Sequence, residues 1–275
     1  MHEEVANALG WELVERCAGG EFGAHLVRRR EEKAVLKVWS PPHDFERISN
    51  SADLAMRVRA AGQLVPRYLD VGQVSEATYS LQEWIDGEVP ARLDLRTAQR
   101  MIELLATHEG VAADWGDRPA GFGAWWDLHD TFATAPPDIK TLHEEIRDAN
   151  AQFGDVPVTT TDVLHDDYHH KNVMVRGDDV AAIIDWDAAQ PGDRWFDAFL
   201  LMWWSQVAAN DFDPAVAAWL RPLVDSHLDD RQLARYAASN ALRHLEFFQR
   251  AYGGEPAQWI KEGVERTMAP YWRNL

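Results

Sequence analysis

The segment from Val163 to Asp187 constrains this chain most tightly. Two short apolar runs, Val163-Leu164 and Ala181-Ala182-Ile183-Ile184, read as β-strands that each deliver polar residues to a loop. After the first run, His165, Asp167 and Asn172 stand in the order H-x-D-x-x-x-x-N, and Asp185 directly follows the second. Any one of them alone reads as a turn residue, because Asp and Asn side chains satisfy local backbone groups. Together and in order they suit phosphoryl transfer, in which one carboxylate orients a hydroxyl while an amide and a second carboxylate hold magnesium.

The same residues resemble the catalytic and metal loops of the aminoglycoside phosphotransferase family, small-molecule kinases with a protein-kinase-like fold. Protein kinases carry H-R-D-x-x-x-x-N and then D-F-G; this family usually carries H-G-D-x-x-x-x-N and then I-D-W or I-D-F. Here the residues are His165-Asp166-Asp167 and Ile184-Asp185-Trp186, so Asp166 stands where the family usually has Gly. The resemblance implies an α+β, two-lobed protein-kinase-like fold, with a small antiparallel-sheet N-terminal lobe and a larger, mainly helical C-terminal lobe. It divides the chain into a nucleotide-binding lobe over residues 1–86 and a catalytic and substrate-binding lobe over residues 87–275. It also implies Asp167 as catalytic base, His165 as support of the same loop, and Asn172 and Asp185 as magnesium ligands.

Composition sets the outer bounds. A chain of 275 residues that is 46% hydrophobic can build one large domain or two lobes. The one cysteine, Cys17, excludes an intramolecular disulfide and fits a reducing compartment. Neither a signal peptide nor an apolar run of roughly twenty residues is present, so the expectation is a soluble cytoplasmic protein. A formal net charge of -18 argues against nucleic acid and anionic membranes as partners and favours a cationic small molecule.

Toward the N-terminus, the cluster Gly19-Gly20-Glu21-Phe22-Gly23 precedes two β-runs joined by a charged hairpin. Gly19, Gly20 and Gly23 would let backbone N–H groups approach phosphate oxygens, although Gly-Gly marks ordinary turns as often. Lys37 lies in the second run between Leu36 and Val38. It faces either solvent or a ligand; with the glycine loop before it and the catalytic motif after it, it resembles the strand lysine that contacts nucleotide phosphates. Pro41-Pro42 ends this strand, and Asp44 can cap a helix from about Phe45 to Ala61, with Phe45, Ile48, Ala52, Ala55 and Val58 at helical spacing. In the kinase fold an acidic residue of this helix pairs with the strand lysine; Glu46 and Asp53 are the candidates, with Asp53 favoured. The run Thr78 to Gly87 resembles the last strand and hinge of the lobe, which implies that backbone groups of Glu83 and Ile85 bond an adenine edge.

Helices are expected over about 95–108, from Trp125-Trp126 to Pro136, over about 138–151 and over 198–208, with more to the end of the chain. Gln190-Pro191-Gly192-Asp193-Arg194-Trp195-Phe196-Asp197 resembles the family's G-D-P-x-x-D stretch, in which Asp197 anchors the catalytic loop and Asp193 either anchors or touches substrate. Glu246, Glu255, Glu262 and Glu265 are further carboxylates for a cationic acceptor, and Trp203, Trp204 and Trp259 are aromatics that stack on a sugar or fill a core. Adjacent His169 and His170 have no third ligand at zinc spacing.

The resemblance thus implies a kinase using ATP, or GTP, with Mg2+, acting on a hydroxyl of an aminoglycoside or related antibiotic, as monomer or dimer. Two alternatives stand beside it: a metabolic kinase for choline, homoserine or a sugar, and a non-catalytic nucleotide-binding module. A hydrolase is disfavoured because no nucleophile elbow G-x-S-x-G occurs.

Overall fold

A computed structural model describes residues 1–17, 23–40, 45–116, 132, 135–251 and 254–275, apart from the side chains of 250–251 and 254–257. After helix α1 (His2–Ala8), strands β1 (Glu12–Arg16), β2 (His25–Arg29) and β3 (Glu32–Trp39), helix α2 (Phe45–Ala60) and strands β4 (Tyr68–Val74) and β5 (Ala77–Glu83) form the N-terminal part. The five strands make one antiparallel sheet in the order β1-β2-β3-β5-β4, which places β3 at the centre.

The two-residue period of a strand decides where Lys37 goes. Ala34, Leu36 and Val38 point to one face of β3 and enter an apolar cluster with Val5, Trp11, Val27, Tyr79 and Leu81 under α1. Lys37, paired in register with Ser80, is therefore on the opposite face, toward α2 and the second lobe. Helix α2 buries Ile48, Ser51, Ala52, Leu54, Ala55 and Val58, while Phe45, expected on the same face, is exposed. Leu54, Ala55 and Val58 belong to the large core of the C-terminal part, so α2 ties the sheet to the helical lobe. Asp44, Gly19, Gly20 and the stretch expected to be helical from Trp125 lie outside the described residues.

The connection out of β5 presses close to the second lobe. A Cβ at Gly87 would sit 2.8 Å from the Val175 carbonyl oxygen, and Glu88 exchanges backbone hydrogen bonds with Val175 at 3.0 and 2.8 Å, so only glycine fits before it. Helix α3 (Leu95–Leu104) is capped by Asp94, whose carboxylate accepts the Thr97 N–H at 2.7 Å, and tightens into a 3-10 turn ending at His108. Helix α4 (Pro137–Phe153) starts on a proline.

Then come β6 (Asp162–Leu164), β7 (Val173–Arg176), β8 (Asp179–Ile183) and β9 (Gln190–Gly192), paired antiparallel as β6-β9 and β7-β8. The helices α5 (Arg194–Val207), α6 (Pro214–Asp225), α7 (Asp230–Ala251), α8 (Gly254–Thr267) and α9 (Ala269–Arg273) complete the lobe. α5 is apolar nearly all round, and Phe199, Leu200, Met202 and Trp203 are buried in the core with Met101, Ile146, Tyr236 and Val264. The expected class, a small antiparallel sheet followed by a mainly helical part, is the class observed.

Candidate active site

The two short strand pairs bring the polar loops together. The loop 165–172 leaves β6 and the turn 184–189 leaves β8, and His165 spans them. Its Nε2 lies 2.9 Å from the Ile184 carbonyl oxygen and its Nδ1 accepts the Asp167 N–H at 3.2 Å. Those two bonds assign the proton to Nε2. Burial lowers the His165 pKa to about 4, so the ring stays neutral and serves as a brace. Below it, Asp197 of α5 is fully buried and accepts the N–H groups of His165 at 2.8 Å and Asp166 at 3.0 Å.

Asp167 presents its carboxylate, 41% exposed, at the front of this loop. Its Oδ2 accepts from Asn172 Nδ2 at 2.9 Å, and His169 Nε2 lies 3.3 Å away. Burial opposes ionisation of this carboxyl, but His169 and the Arg243 cation outweigh it and hold the group well below the ordinary carboxylate range. Asn172 Nδ2 also reaches the Asp167 carbonyl oxygen at 2.8 Å, and Ile184 N–H bonds the Asn172 carbonyl at 2.9 Å. With Nδ2 turned to Asp167, the Asn172 amide oxygen is left for a ligand.

Asp185 sits in the left-handed region, with φ 67° and ψ 53°, where few residues other than glycine go without compensation. Its Oδ1 accepts from Lys37 Nζ at 2.7 Å, and Asp187 Oδ2 takes the same ammonium at 2.5 Å. Burial disfavours the charged lysine, yet the two carboxylates raise its pKa, so Lys37 is an ammonium at any physiological pH. Asp187 is driven the other way: burial pushes it up to about 6 against the pull of Lys37.

The donors suit magnesium. A carboxylate and an amide oxygen are hard ligands, and this cation is usually held by one or two protein groups, with waters and phosphates completing its shell. Among the described residues no group of three or more His, Cys, Asp or Glu side chains gathers as a cation cage.

Other expected site residues lie elsewhere. Asp53 does not reach Lys37; it is exposed on α2 and pairs with Arg57 at 3.1 Å, because the buried face of that helix is set by Ile48, Ala52 and Ala55. Asp193 is an N-cap: one oxygen accepts the Trp195 N–H at 2.9 Å and the other the Tyr236 hydroxyl at 2.6 Å, with the residue 4% exposed. Trp203 is a core residue, 1% exposed, whose indole N–H bonds Thr267 Oγ1 at 2.9 Å. Its neighbour Trp204 is the one beside the 165–172 loop, 5.3 Å from the His169 ring. Glu246 is buried against His143 at 3.2 Å and has its second oxygen unpartnered. In the hinge, the Glu83 N–H is taken by the Arg67 carbonyl at 2.8 Å, whereas Ile85 has no backbone partner among the described residues. Gly23, the last glycine of the N-terminal cluster, holds φ +71°.

Three residues escaped the sequence reading: Asp187, the second partner of Lys37; Arg243, which bonds Asp166 from α7; and Gln190, whose side-chain amide donates to Asp166 Oδ2 at 2.8 Å.

A model of the phosphotransferase enzyme family matches residues 16–248. The chain belongs to that family. No curated protein matches it significantly. Among solved structures, a thermostable mutant of aminoglycoside phosphotransferase APH(4)-Ia is similar over 98% of both chains, at 17% identity and a TM-score of 0.72. The microcompartment-associated aminopropanol kinase is similar over 96% of this chain and 92% of its own, at 18% identity and a TM-score of 0.64. An aminoglycoside-3'-phosphotransferase of type VIII matches at 19% identity and a TM-score of 0.60, covering 90% and 99% of the two chains. At such identities the likeness establishes the fold, and this phosphotransferase family member has the two-lobed protein-kinase-like one.

Proposed function

We propose that this phosphotransferase family member transfers the γ-phosphoryl group of ATP to a hydroxyl of a small cationic molecule, an aminoglycoside or related antibiotic. One observation carries the reading: Lys37 Nζ lies 2.7 Å from Asp185 Oδ1, Asn172 Nδ2 lies 2.9 Å from Asp167 Oδ2, and the N–H of Ile184, directly before Asp185, bonds the Asn172 carbonyl oxygen at 2.9 Å. Lys37 brings a permanent cation to the nucleotide phosphates. Asn172 and Asp185 would hold Mg2+, which supplies charge neutralisation between the β- and γ-phosphates. Asp167 accepts a hydrogen bond from the attacking hydroxyl. Held below the ordinary carboxylate range, it is a weak base; it orients the nucleophile and takes the proton late, as suits a loose transition state. The unpaired backbone of Ile85 is available to an adenine edge.

A metabolic acceptor is the second reading, and one observation favours it. Asp193 and Trp203, expected to meet an amino sugar, are committed to the scaffold, while the Arg243 cation stands beside the Asp166-Asp167 loop. A solved aminopropanol kinase among the structural neighbours is compatible with such an acceptor.

The test is calorimetric titration of the protein with ATP, with and without magnesium, followed by turnover assays of wild type and Asp167→Asn. Magnesium-dependent binding shared by both, with turnover lost only in the variant, is the expected result. Binding without turnover on any acceptor would leave the non-catalytic nucleotide-binding module as the reading.

A further inference from the structure

In protein kinases an acidic residue of the first helix holds the phosphate-contacting lysine and makes its position depend on that helix. Helix α2 cannot do this here. Its two acidic residues, Glu46 and Asp53, are exposed, Asp53 is paired with Arg57, and the inward positions are Ile48, Ser51, Ala52 and Ala55.

What α2 touches instead is the turn after β8. Arg47 Nη1 donates to the Asp187 carbonyl oxygen at 2.9 Å, and Ser51 Oγ donates to the Ala189 carbonyl oxygen, also at 2.9 Å. Both ends of the short segment 187–189 are thus held by the helix. The Asp187 side chain, 14% exposed, points back to Lys37 through Oδ2 and lies 3.4 Å from the Tyr68 hydroxyl through Oδ1. Asp185 differs: it is 36% exposed, and only its Oδ1 is engaged by Lys37. Two carboxylates on one ammonium leave one negative charge in excess, so Lys37 stays neutralised by Asp187 alone when Asp185 binds elsewhere.

We propose that Asp187 is the positioning residue for Lys37, standing in for the missing helix carboxylate and transmitting the placement of α2 to the lysine through Arg47 and Ser51. This rests on the kinase reading of the site. It concerns how the lysine is held, not what the chain phosphorylates.

The test compares full-length wild type with Asp187→Ala, Asp187→Asn and Asp187→Glu, and uses Asp185→Ala as comparator. In the nucleotide-free and metal-free protein, acylation of Lys37 by acetic anhydride is followed by peptide mass spectrometry, with exposed Lys33 as internal reference. Asp187→Ala should raise the relative rate at Lys37 about threefold or more, since the amine then keeps one carboxylate partner instead of two and is more often released to the reagent. In binding and turnover, Asp187→Ala should keep its magnesium requirement and bind ATP within about threefold of wild type. Its kcat should fall about tenfold or more, with Asp187→Glu recovering most of the loss. An unchanged Lys37 reactivity together with an unchanged kcat overturns the proposal. So does an Asp187→Ala variant that needs more magnesium, as Asp185→Ala should, because Asp187 would then be a metal ligand. If wild type binds no nucleotide, the kinase reading falls and this inference with it; if it binds and turns over normally while the variants behave like wild type, this inference alone falls.

Discussion

Replacing Arg243 with Met removes the cation that α7 lends to Asp166 in the 165–172 loop. Asp166 has φ +66°, a conformation that costs a residue with a Cβ about 1 kcal/mol, and it is 4% exposed. Arg243 Nη1 bonds both its carbonyl oxygen, at 2.6 Å, and its Oδ1; Gln190 and the Asp197 carboxylate hold the remaining groups. Breaking a buried ion pair from one side costs about 3–5 kcal/mol, and since the Arg243 side chain keeps 17% exposure the lower end, about 3, applies. At about 2–4 °C per kcal/mol for a chain of this size, Arg243→Met should lower Tm by about 6–12 °C at pH 8. The pH dependence follows from Asp166 itself. Burial pushes its carboxyl up to about 6, against the pull of Arg243, from an ordinary 3.8. Between these values the native state binds more protons than the unfolded chain, so this group's contribution to stability falls as pH rises through the window. Without Arg243 the window extends upward, and the variant's deficit should therefore be largest at pH 8 and shrink toward pH 5, where a protonated Asp166 no longer needs a cation. Asp166→Gly combined with Arg243→Met removes the strain and the orphaned charge together, and should return to within about 1 kcal/mol of wild type. Thermal unfolding followed by circular dichroism at both pH values measures all of this. A normal Tm for Arg243→Met at pH 8, or a double variant as unstable as the single one, would refute the reasoning.

Other substitutions separate the remaining roles. Asp185→Ala should abolish magnesium-dependent nucleotide binding in calorimetry and stay folded, because it relieves crowding between two carboxylates that share Lys37. Trp203→Ala should cost about 3–5 kcal/mol in urea unfolding, the expense of emptying a core site; a stable variant that lost only acceptor affinity would return Trp203 to the substrate pocket. His108 is fully buried between the Gln63 side chain at 2.9 Å and the Val163 carbonyl at 2.8 Å, and burial lowers its pKa to about 3 from 6.5. The unfolded chain gains a proton there below pH 6.5 and the native state does not, so stability drains away as pH falls. His108→Gln lacks that loss, and urea unfolding should show its deficit against wild type shrinking by about 2 kcal/mol between pH 6.5 and 4.5.

The segment from His165 to Asp185 was legible because its chemistry is local: the strands deliver the loops, and the spacing fixes which residues meet. Lys37 was placed by its neighbours, since Leu36 and Val38 on one face force it to the other. The error at Asp53 was avoidable. Ile48, Ala52 and Ala55 already define the buried stripe of α2, and Asp53 falls outside it. Asp193, directly ahead of the helical Arg194-Trp195-Phe196 run, carried an N-cap signature as readable as its resemblance to a substrate contact. Trp203 and Trp204 could not be told apart, because α5 is apolar on nearly every side and only its neighbours decide which ring faces the loop. Arg243 lies 77 residues from Asp166. The sequence hint was indirect: an aspartate in a slot where the family usually has Gly must find a cation, but nothing in the chain says which.

The most direct test of the phosphotransferase account is mass spectrometry of acceptors after incubation with the protein, magnesium and ATP. The panel runs from aminoglycosides and other hydroxylated antibiotics to choline, homoserine, amino alcohols and small sugars, with Asp167→Asn in parallel. The account predicts a gain of one phosphoryl group on at least one hydroxylated small molecule, absent with the variant. Equal transfer by Asp167→Asn, or no transfer to any acceptor by a wild type that binds magnesium and ATP, would contradict it.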